Sequence, residues 1–489
     1  MSSASLLRRR PGLDGLDLRT AAVWAAGIVA VPALVLAAAT TRPSLVLVGL
    51  IVAGAVAVVL VATVPAAVVP TAWTLIVFIG LVRKITAGSA GHVTNDPLIA
   101  APYLLLVPLL FARFWWQPRY RAHLWIALVV AVDVAASFVV VLLQGDSSLG
   151  TVRAFVEEAV APLCALVLVH PALRGSIRAT LTTVRITTLL AGIYGIWQYV
   201  SPPRWDLTWL QSVVSQGVQT FGVPVPQQFR LFGPLSSPLS YALVLAVGIA
   251  CWAFSSGRLL PRLAAIAVMA LPLLLTAVRT SVFALVIALP IAAIIRYRQR
   301  AIVPLVVILA GVAAIPTVLA GIDPNLVNRF SVTGLSQDTS YNARLQLLSN
   351  SGDAVYSWGG GPGSSSSGSL VTDNGYLSQF IDYGLLGGVL LIVLVVAALV
   401  ASVRFALRST SPARGLPLVL VLVYGLSETS APVIQGQQGL VFWVTLAILG
   451  ADVAVRHGGT PDDDLLTRRP RRGRHAQQAG PAEAAPAAR

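Results

Sequence analysis

The chain has 489 residues, of which 56% are hydrophobic and only 11% are charged. Its mean hydropathy of +0.80 excludes an ordinary soluble globular protein. The net charge of +15 does not indicate nucleic-acid binding, because membrane proteins collect arginine in their cytoplasmic connections.

Apolar runs of nearly the ~20 residues needed to cross ~30 Å of hydrocarbon recur along the chain. The runs lack the alternation of apolar and polar residues that a membrane β-barrel requires. The sequence therefore predicts an all-α polytopic membrane protein with about 12–14 transmembrane helices, because short or proline-split runs can merge. The predicted spans are residues 21–40, 44–63, 64–82, 97–113, 122–143, 154–170, 178–200, 237–255, 259–277, 280–296, 301–320, 376–403, 414–432 and 437–455.

The arginines predict the orientation of these spans. With the N-terminus inside, every connection on the inner side is basic, and the outer side carries fewer cations. We therefore expect a multi-pass membrane protein with both termini in the cytoplasm.

Composition also predicts the domain organisation. Residues 1–19 and the basic segment 457–489 lack apolar periodicity and are expected to be disordered cytoplasmic tails. Between them we expect an N-terminal transmembrane bundle at residues 20–200 and a second membrane domain at residues 201–456.

Two long segments are predicted to be extracytoplasmic, at about residues 201–236 and 321–375. The first contains SPPRWDLTWLQSVV, whose Trp205 and Trp209 suit an amphipathic stretch at the membrane interface. The second contains GGGPGSSSSGS, which we expect to be flexible, and it ends in TDNG at the start of a long apolar run.

Three arginines stand out on the predicted outer side. Arg279 lies between two apolar runs in LLLTAVRTSVFAL, and Arg230 precedes a Gly-Pro turn in RLFGPLSSPLSYA. Arg344 precedes GGGPG in the same long segment as Asp373 and Asn374. Each arginine has an alternative interpretation as an ordinary interfacial residue, but together they predict a phosphate site beside a proton-accepting carboxylate.

Other acids lie in or at the edge of apolar runs. Asp133, Glu157, Glu158 and Glu428 are candidates to line a polar cavity. Glu157 and Glu158 follow Arg153 at helical spacing, which favours a structural ion pair over catalysis. Neither these acids nor the cysteines and histidines form a metal-binding motif, so no metal or other cofactor is predicted.

The outer motifs resemble those of the bacterial O-antigen ligase and O-antigen polymerase family of membrane glycosyltransferases. RLFGPLSSPLSYA is similar to the family's Arg-x-x-Gly…Pro turn, and LLLTAVRTSVFAL is similar to its T-x-S-R-G junction. NARLQLL…GGGPGS…TDNGYLSQFIDYGLLGG is similar to the family's signature loop, and the resemblance covers roughly residues 200–405.

This resemblance implies transfer of a glycan from undecaprenyl pyrophosphate to a hydroxyl of a glycan or lipid acceptor, without a metal. It implies a multi-pass protein of the bacterial cytoplasmic membrane whose active site faces outward. It implies that Arg230, Arg279 and Arg344 bind the pyrophosphate. Asp373 stands where the family has a histidine, so Asp373 with Asn374 is expected to activate or orient the acceptor. A one-step displacement at the anomeric carbon would invert its configuration.

Several alternatives stay open at this point. The sequence does not distinguish a ligase from a polymerase, because both use the same donor. A transporter or flippase of a lipid-linked glycan would have the same general architecture. The replacement of the family's histidine is also compatible with a non-catalytic relative that keeps the lipid site.

Overall fold

The computed structural model describes only part of the chain. The described residues are 60, 64–87, 97–110, 149–169, 173–216, 221–255, 258–297, 359–361, 364–366, 374–409, 411 and 413–456, with isolated positions within 132–139 and 302–321. The predictions that fall wholly or mostly outside them concern both tails, the spans 21–40, 44–63, 122–143 and 301–320, Arg344 and Asp373.

The described residues form eleven α-helices, four 3-10 helices and no β-strand. The prediction of an all-α protein is confirmed for this part of the chain. The α-helices are α1 (Val68–Ala87), α2 (Ala101–Leu110), α3 (Leu149–Leu168), α4 (Arg174–Val200), α5 (Arg204–Ser215), α6 (Pro238–Ala253), α7 (Leu259–Leu275), α8 (Arg279–Tyr297), α9 (Gly375–Arg408), α10 (Leu416–Ser427) and α11 (Leu440–Arg456). The 3-10 helices are Pro65–Ala67, Pro97–Ala100, Ser364–Ser366 and Gln437–Gly439.

Three of the described helical segments are long and apolar enough to cross a membrane, namely Pro65–Thr86, Gly175–Val200 and Gly375–Arg408. Along α9, Leu386 is 54% exposed and Val393 is 51% exposed. An apolar face left open on a helix of this length is typical of a surface in contact with lipid. These features indicate a membrane protein, while the number of spans and their orientation stay predictions.

Helix α6 lies at the centre of the bundle. It packs against α4, α7, α8 and α10, and every residue from Tyr241 to Cys251 is buried. Because α6 is apolar on all sides, each of its faces can pack against an apolar face of a neighbouring helix. The same hydrophobic core extends from Trp73 in α1 to Trp443 in α11.

Most described helices end within three residues of their predicted boundaries, but α1 and α9 continue five residues past theirs and α10 stops five residues short. The apolar run predicts a span over residues 414–432, whereas α10 ends at Ser427. The chain turns there because the Glu428 carboxylate accepts hydrogen bonds from the backbone N–H groups of Val433 and Ile434. This side-chain contact ends the helix in a stretch whose composition remains apolar.

Polar connections meet at one end of the bundle, which we call the polar end. It contains the end of α1, residues 198–216 and 221–237, the α7–α8 turn, the start of α9 and residues 428–438. These are connections that the sequence predicts to lie on the outer side. Contacts that join them are Lys84 Nζ to Gly233 O (2.7 Å), Arg230 Nε to Thr276 O (2.9 Å), Gly375 N to Glu428 O (2.8 Å) and Gln437 Nε2 to Ile99 O (3.0 Å).

Candidate functional site

Two of the three arginines predicted to bind pyrophosphate meet at the α7–α8 turn. Arg230 donates a hydrogen bond from Nε to the carbonyl oxygen of Thr276 over 2.9 Å. Arg279 is the first residue of α8, three positions after Thr276, and both arginines are half-buried. The structure therefore brings Arg230 and Arg279 to the same turn, while Arg344 lies outside the described residues.

The α7–α8 turn has a defined conformation. Thr276 donates from its hydroxyl to the carbonyl of Leu273 and accepts from the backbone N–H of Val278. Ala277 has a left-handed φ of 54°, which is uncommon for a residue other than glycine. The turn therefore sets the direction in which α8 begins, and with it the position of Arg279.

A cation at the first position of a helix is electrostatically unfavourable. The helix N-terminus carries partial positive charge, and a like charge there costs about 0.3–1 kcal/mol. Arg279 occupies this position, and Arg230 is bonded to the preceding turn. The local arrangement would be stabilised by an anion, and guanidinium groups suit phosphate oxygens.

The segment that carries Arg230 is held from both sides. Before it, the backbone N–H of Arg230 donates to Phe221 O over 2.8 Å, and Gly222 pairs with Phe229 in an isolated β-bridge. After it, the backbone N–H of Leu231 donates to Leu275 O over 3.3 Å. These bonds place Arg230 at the base of a short hairpin, which contacts the end of α7 through Leu231.

A buried polar network supports the turn after Arg230. Lys84 Nζ lies 2.6 Å from Asp206 Oδ1 and donates to Gly233 O over 2.7 Å. Gln198 accepts from the Gly233 N–H over 2.9 Å and donates to Asp206 Oδ2 over 2.8 Å. Tyr194 donates to the same carboxylate oxygen over 2.7 Å. A buried charge pair with these additional partners fixes the backbone around Gly233.

Sequence reasoning did not assign a role to this network. Lys84 is the sole lysine of the chain and follows a predicted apolar span that ends at residue 82. Asp206 lies in the predicted amphipathic stretch, which does form helix α5 with a buried face containing Asp206 and Trp209. The sequence features that could have indicated this ion pair are a single lysine after one apolar run and an acid within an amphipathic stretch.

Asn374 begins α9. Its side-chain oxygen accepts a hydrogen bond from the backbone N–H of Leu377 over 3.1 Å, which is the usual geometry of an N-cap. The next residue, Gly375, donates its N–H to the carbonyl of Glu428 over 2.8 Å. A Cβ at Gly375 would lie 2.1 Å from Glu428 Oε1, so the close approach requires glycine. Asp373, the predicted catalytic partner, precedes this cap and lies outside the described residues.

Glu428 lies behind the start of α9, in the connection after α10. Its side chain is fully buried, and Oε2 accepts from the N–H groups of Val433 (3.0 Å) and Ile434 (2.9 Å). Burial raises the pKa of this carboxyl from an ordinary 4.5 to about 8, and the two N–H donors oppose the rise. Glu428 thus links the start of α9 to the α10–α11 connection.

We expect Glu428→Gln to change the pH dependence of stability. Because the folded-state pKa of Glu428 is raised, its stabilising contribution is fully present below about pH 4.5 and is lost as pH rises through about 8. Glutamine stays neutral, so the variant should gain thermal stability relative to wild type across this interval. Thermal midpoints of both purified proteins, measured from pH 4.5 to 9, test this. A difference that does not vary with pH would contradict it.

Two residues of the glycine-rich run contact α9 through their backbones. The N–H groups of Gly360 and Gly361 donate to the carbonyls of Ile381 (2.7 Å) and Asp382 (2.9 Å) in α9. These carbonyls are available because Gly384, with φ 67° and ψ −163°, interrupts the helix. These bonds hold residues 360 and 361 against α9, and the flexibility of the run as a whole stays a prediction.

Asp382 fixes the serine part of the same run. Its carboxylate accepts from the Ser365 N–H over 2.6 Å and from the Ser365 hydroxyl over 2.9 Å. Charged acceptors form stronger hydrogen bonds than neutral ones. The second acid of TDNGYLSQFID therefore has a structural role in holding the preceding loop on α9.

Among the described residues, no group of three or more His, Cys, Asp or Glu side chains could hold a metal ion. The fold and these contacts define an α-helical protein with spans suited to a membrane and a polar end that contains two neighbouring arginines. No family model matches the chain, and no curated protein matches it. The O-antigen ligase and polymerase resemblance therefore stays a hypothesis.

Proposed function

We propose that the protein is a membrane glycosyltransferase of the O-antigen ligase and polymerase type. It would transfer a glycan from undecaprenyl pyrophosphate to an acceptor hydroxyl at the outer face of the bacterial cytoplasmic membrane. The observation that carries the proposal is the hydrogen bond from Arg230 to the turn where Arg279 begins α8. It places Arg230 against the turn after which Arg279 begins, and guanidinium groups suit the oxygens of a pyrophosphate.

In the proposed reaction, an acceptor oxygen attacks the anomeric carbon of the donor sugar. The bond from that carbon to the pyrophosphate oxygen breaks, and the electron pair stays with the pyrophosphate. Arg230 and Arg279, assisted by Arg344, stabilise the charge of this leaving group. The acceptor proton passes to Asp373, beside the N-cap Asn374. The anomeric configuration is inverted.

The partners follow from this chemistry. The donor is half lipid, so a site at one end of a membrane bundle allows the polyprenyl chain to stay in hydrocarbon while its pyrophosphate meets the arginines. The acceptor is a growing glycan if the protein is a polymerase, and a lipid or another wall polymer if it is a ligase. Neither reaction requires a metal or another cofactor in this scheme.

We expect Arg279→Ala to lower glycan transfer about 10²–10³-fold, the usual loss when one donor to a developing negative charge is removed. The measurement is the amount of undecaprenyl-linked glycan that accumulates in cells making each variant, analysed by mass spectrometry. Arg279→Lys should recover only part of the activity, because lysine keeps the charge without the bidentate geometry. Asp373→Asn is measured in parallel.

Arg404→Ala is the matched control, because Arg404 is exposed near the far end of α9. It should accumulate no more donor than wild type at equal protein level. If Arg279→Ala behaves like Arg404→Ala, the glycosyltransferase proposal fails. A loss with Arg279→Ala but not with Asp373→Asn would keep the lipid site and place the base elsewhere.

A further inference from the structure

At the end of the bundle opposite to the polar end, arginines from two helices contact one turn. This turn comprises residues 252–255, where α6 ends and the chain leads into α7. The guanidinium of Arg185 in α4 lies 5.9 Å from the centre of the Trp252 ring. Arg262 in α7 donates from Nη1 to Ser255 O over 3.3 Å. Both arginine side chains are half-buried, so the packed helices cover part of each.

Hydrogen bonds fix the turn and the Arg185 side chain. Trp252 donates from its ring N–H to Arg185 O over 3.0 Å. Ser255 donates to Trp252 O from its backbone N–H over 3.1 Å and from its hydroxyl over 2.8 Å. The Arg185 guanidinium donates to Leu181 O over 3.3 Å and to Thr182 Oγ1 over 3.0 Å. These bonds set the position of the Arg185 charge and of the carbonyl that Arg262 contacts.

The helices that form this turn supply no counter-charge to the arginines. Residues 174–200 and 238–275, which comprise α4, α6, α7 and the α6–α7 connection, contain no Asp or Glu. The acceptors that Arg185 and Arg262 contact are carbonyl and hydroxyl oxygens, which are neutral. The exposed N-cap residue of α7, Arg258, lies one helical turn before Arg262 and adds a third cation. The turn therefore attracts an anion.

The length of α6 favours a lipid as the source of this anion. Its 16 residues span only about 24 Å, less than the ~30 Å of a bilayer core. If α6 crosses the membrane, its two ends therefore cannot both lie beyond the hydrocarbon layer. Cations at such an end are stabilised when local thinning of the bilayer brings a charged headgroup to them.

Exposed leucines beside the arginines of α7 supply a surface for acyl chains. Leu259 is 58% exposed and Leu263 is 46% exposed. On a helix these two positions share one face with Arg258 and Arg262, so cations and leucines lie side by side. Trp252 suits the same level, because tryptophan is enriched where hydrocarbon meets the headgroups. The combination favours an amphipathic ligand with an anionic head over a free inorganic anion.

We infer that the turn at the end of α6 binds the headgroup of an anionic phospholipid from the surrounding membrane. Arg185 and Arg262 bind its phosphate, and its acyl chains lie along the start of α7. Trp252 is a positioning residue, which holds the Arg185 guanidinium on the turn. The inference goes beyond the proposed function and does not depend on it, because it uses no residue of the polar end.

The test is native mass spectrometry of the purified full chain in detergent, titrated with one of two lipids. Dioleoylphosphatidylglycerol carries one negative charge, and dioleoylphosphatidylcholine has the same acyl chains but no net charge. Wild type should bind phosphatidylglycerol about 25-fold more tightly, which corresponds to about 1 kcal/mol for each of two arginines. An equal concentration of inorganic phosphate should not displace the bound lipid.

Replacing both arginines by glutamine, as Arg185→Gln with Arg262→Gln, should weaken phosphatidylglycerol binding about 25-fold and leave phosphatidylcholine binding unchanged. Arg404→Gln is the matched control, because Arg404 is an exposed arginine of α9 at the same end of the bundle. It should bind both lipids as wild type does. Arg262→Gln alone should lose about fivefold, and it replaces the double variant if that variant folds poorly.

Selective loss of phosphatidylglycerol in the Arg185 and Arg262 variants, with Arg404→Gln unchanged, supports the lipid site. Equal affinity of wild type for the two lipids overturns it, and so does unchanged affinity in the arginine variants. An equal loss in Arg404→Gln would show a general effect of surface charge and no site at this turn. Displacement of the lipid by inorganic phosphate would show an anion site that does not select lipid, which also overturns the inference. The proposed function is tested separately, through Arg279.

Discussion

Replacing Lys84 by methionine is expected to destabilise the protein by about 3–5 kcal/mol, the usual cost of breaking a buried ion pair from one side. Both side chains of the Lys84–Asp206 pair have 0% exposure, and their N–O distance is 2.6 Å. Methionine keeps a long unbranched side chain but leaves the Asp206 charge without its cation and the Gly233 carbonyl without its donor. The turn that carries Arg230 should loosen as a consequence.

Thermal midpoints of the purified proteins in detergent measure this effect. Arg204→Met is the control, because Arg204 is an exposed basic residue at the start of α5 and should change stability by less than about 0.5 kcal/mol. The double variant Lys84→Met with Asp206→Asn should recover part of the loss, since it removes the buried charge and leaves an oxygen that can accept from Gln198. A double variant no more stable than Lys84→Met would contradict the ion-pair explanation.

Replacing Asp382 by alanine is expected to release the glycine- and serine-rich run from α9. Two hydrogen bonds from Ser365 to the carboxylate are lost, each worth about 1.5–3 kcal/mol as a bond to a charged group, or about 3–6 kcal/mol together. The bonds from Gly360 and Gly361 to α9 then act alone. If the proposed function holds, donor turnover should fall as well, because this run leads into the segment before Asp373.

Hydrogen exchange of the peptide that contains residues 359–366 measures the release. Asp382→Asn keeps one side-chain oxygen as an acceptor and should retain intermediate protection, whereas Ser365→Ala removes only the hydroxyl bond. Exchange rates in the peptide from α6 serve as an internal control, because every residue from Tyr241 to Cys251 is buried. Unchanged protection of residues 359–366 in Asp382→Ala would show that Asp382 does not hold the run.

The features of the fold that depend on composition could be predicted from the sequence. Apolar runs located most described helices, because twenty or so apolar residues have few alternatives to a helix in a membrane. Arginine placement assigned Arg230 and Arg279 to the same side. Their meeting at one turn depends on the bond from Arg230 to Thr276, which joins residues far apart in the chain and leaves no pattern in the sequence.

Features that depend on single side-chain contacts were not predictable. Hydropathy continues through Glu428, yet α10 ends before it, because a carboxylate takes backbone N–H groups of the next turn. The run GGGPGSSSS has the composition of a linker, and only the interruption of α9 at Gly384 provides carbonyls to hold it. Hydropathy does not represent the first contact, which depends on one side chain, and the second requires a partner from another part of the fold.

The Lys84 network also implies an order of assembly. The ribosome makes α1 long before it makes Gln198, Asp206 and Gly233, which are the groups that contact Lys84 directly or through the shared carboxylate. The ammonium at the end of α1 must therefore stay in water or among lipid headgroups until α5 and the following turn emerge. Completion of the N-terminal half is thus coupled to synthesis of the Arg230 turn, so that turn is positioned by the same event that pairs the Lys84 charge.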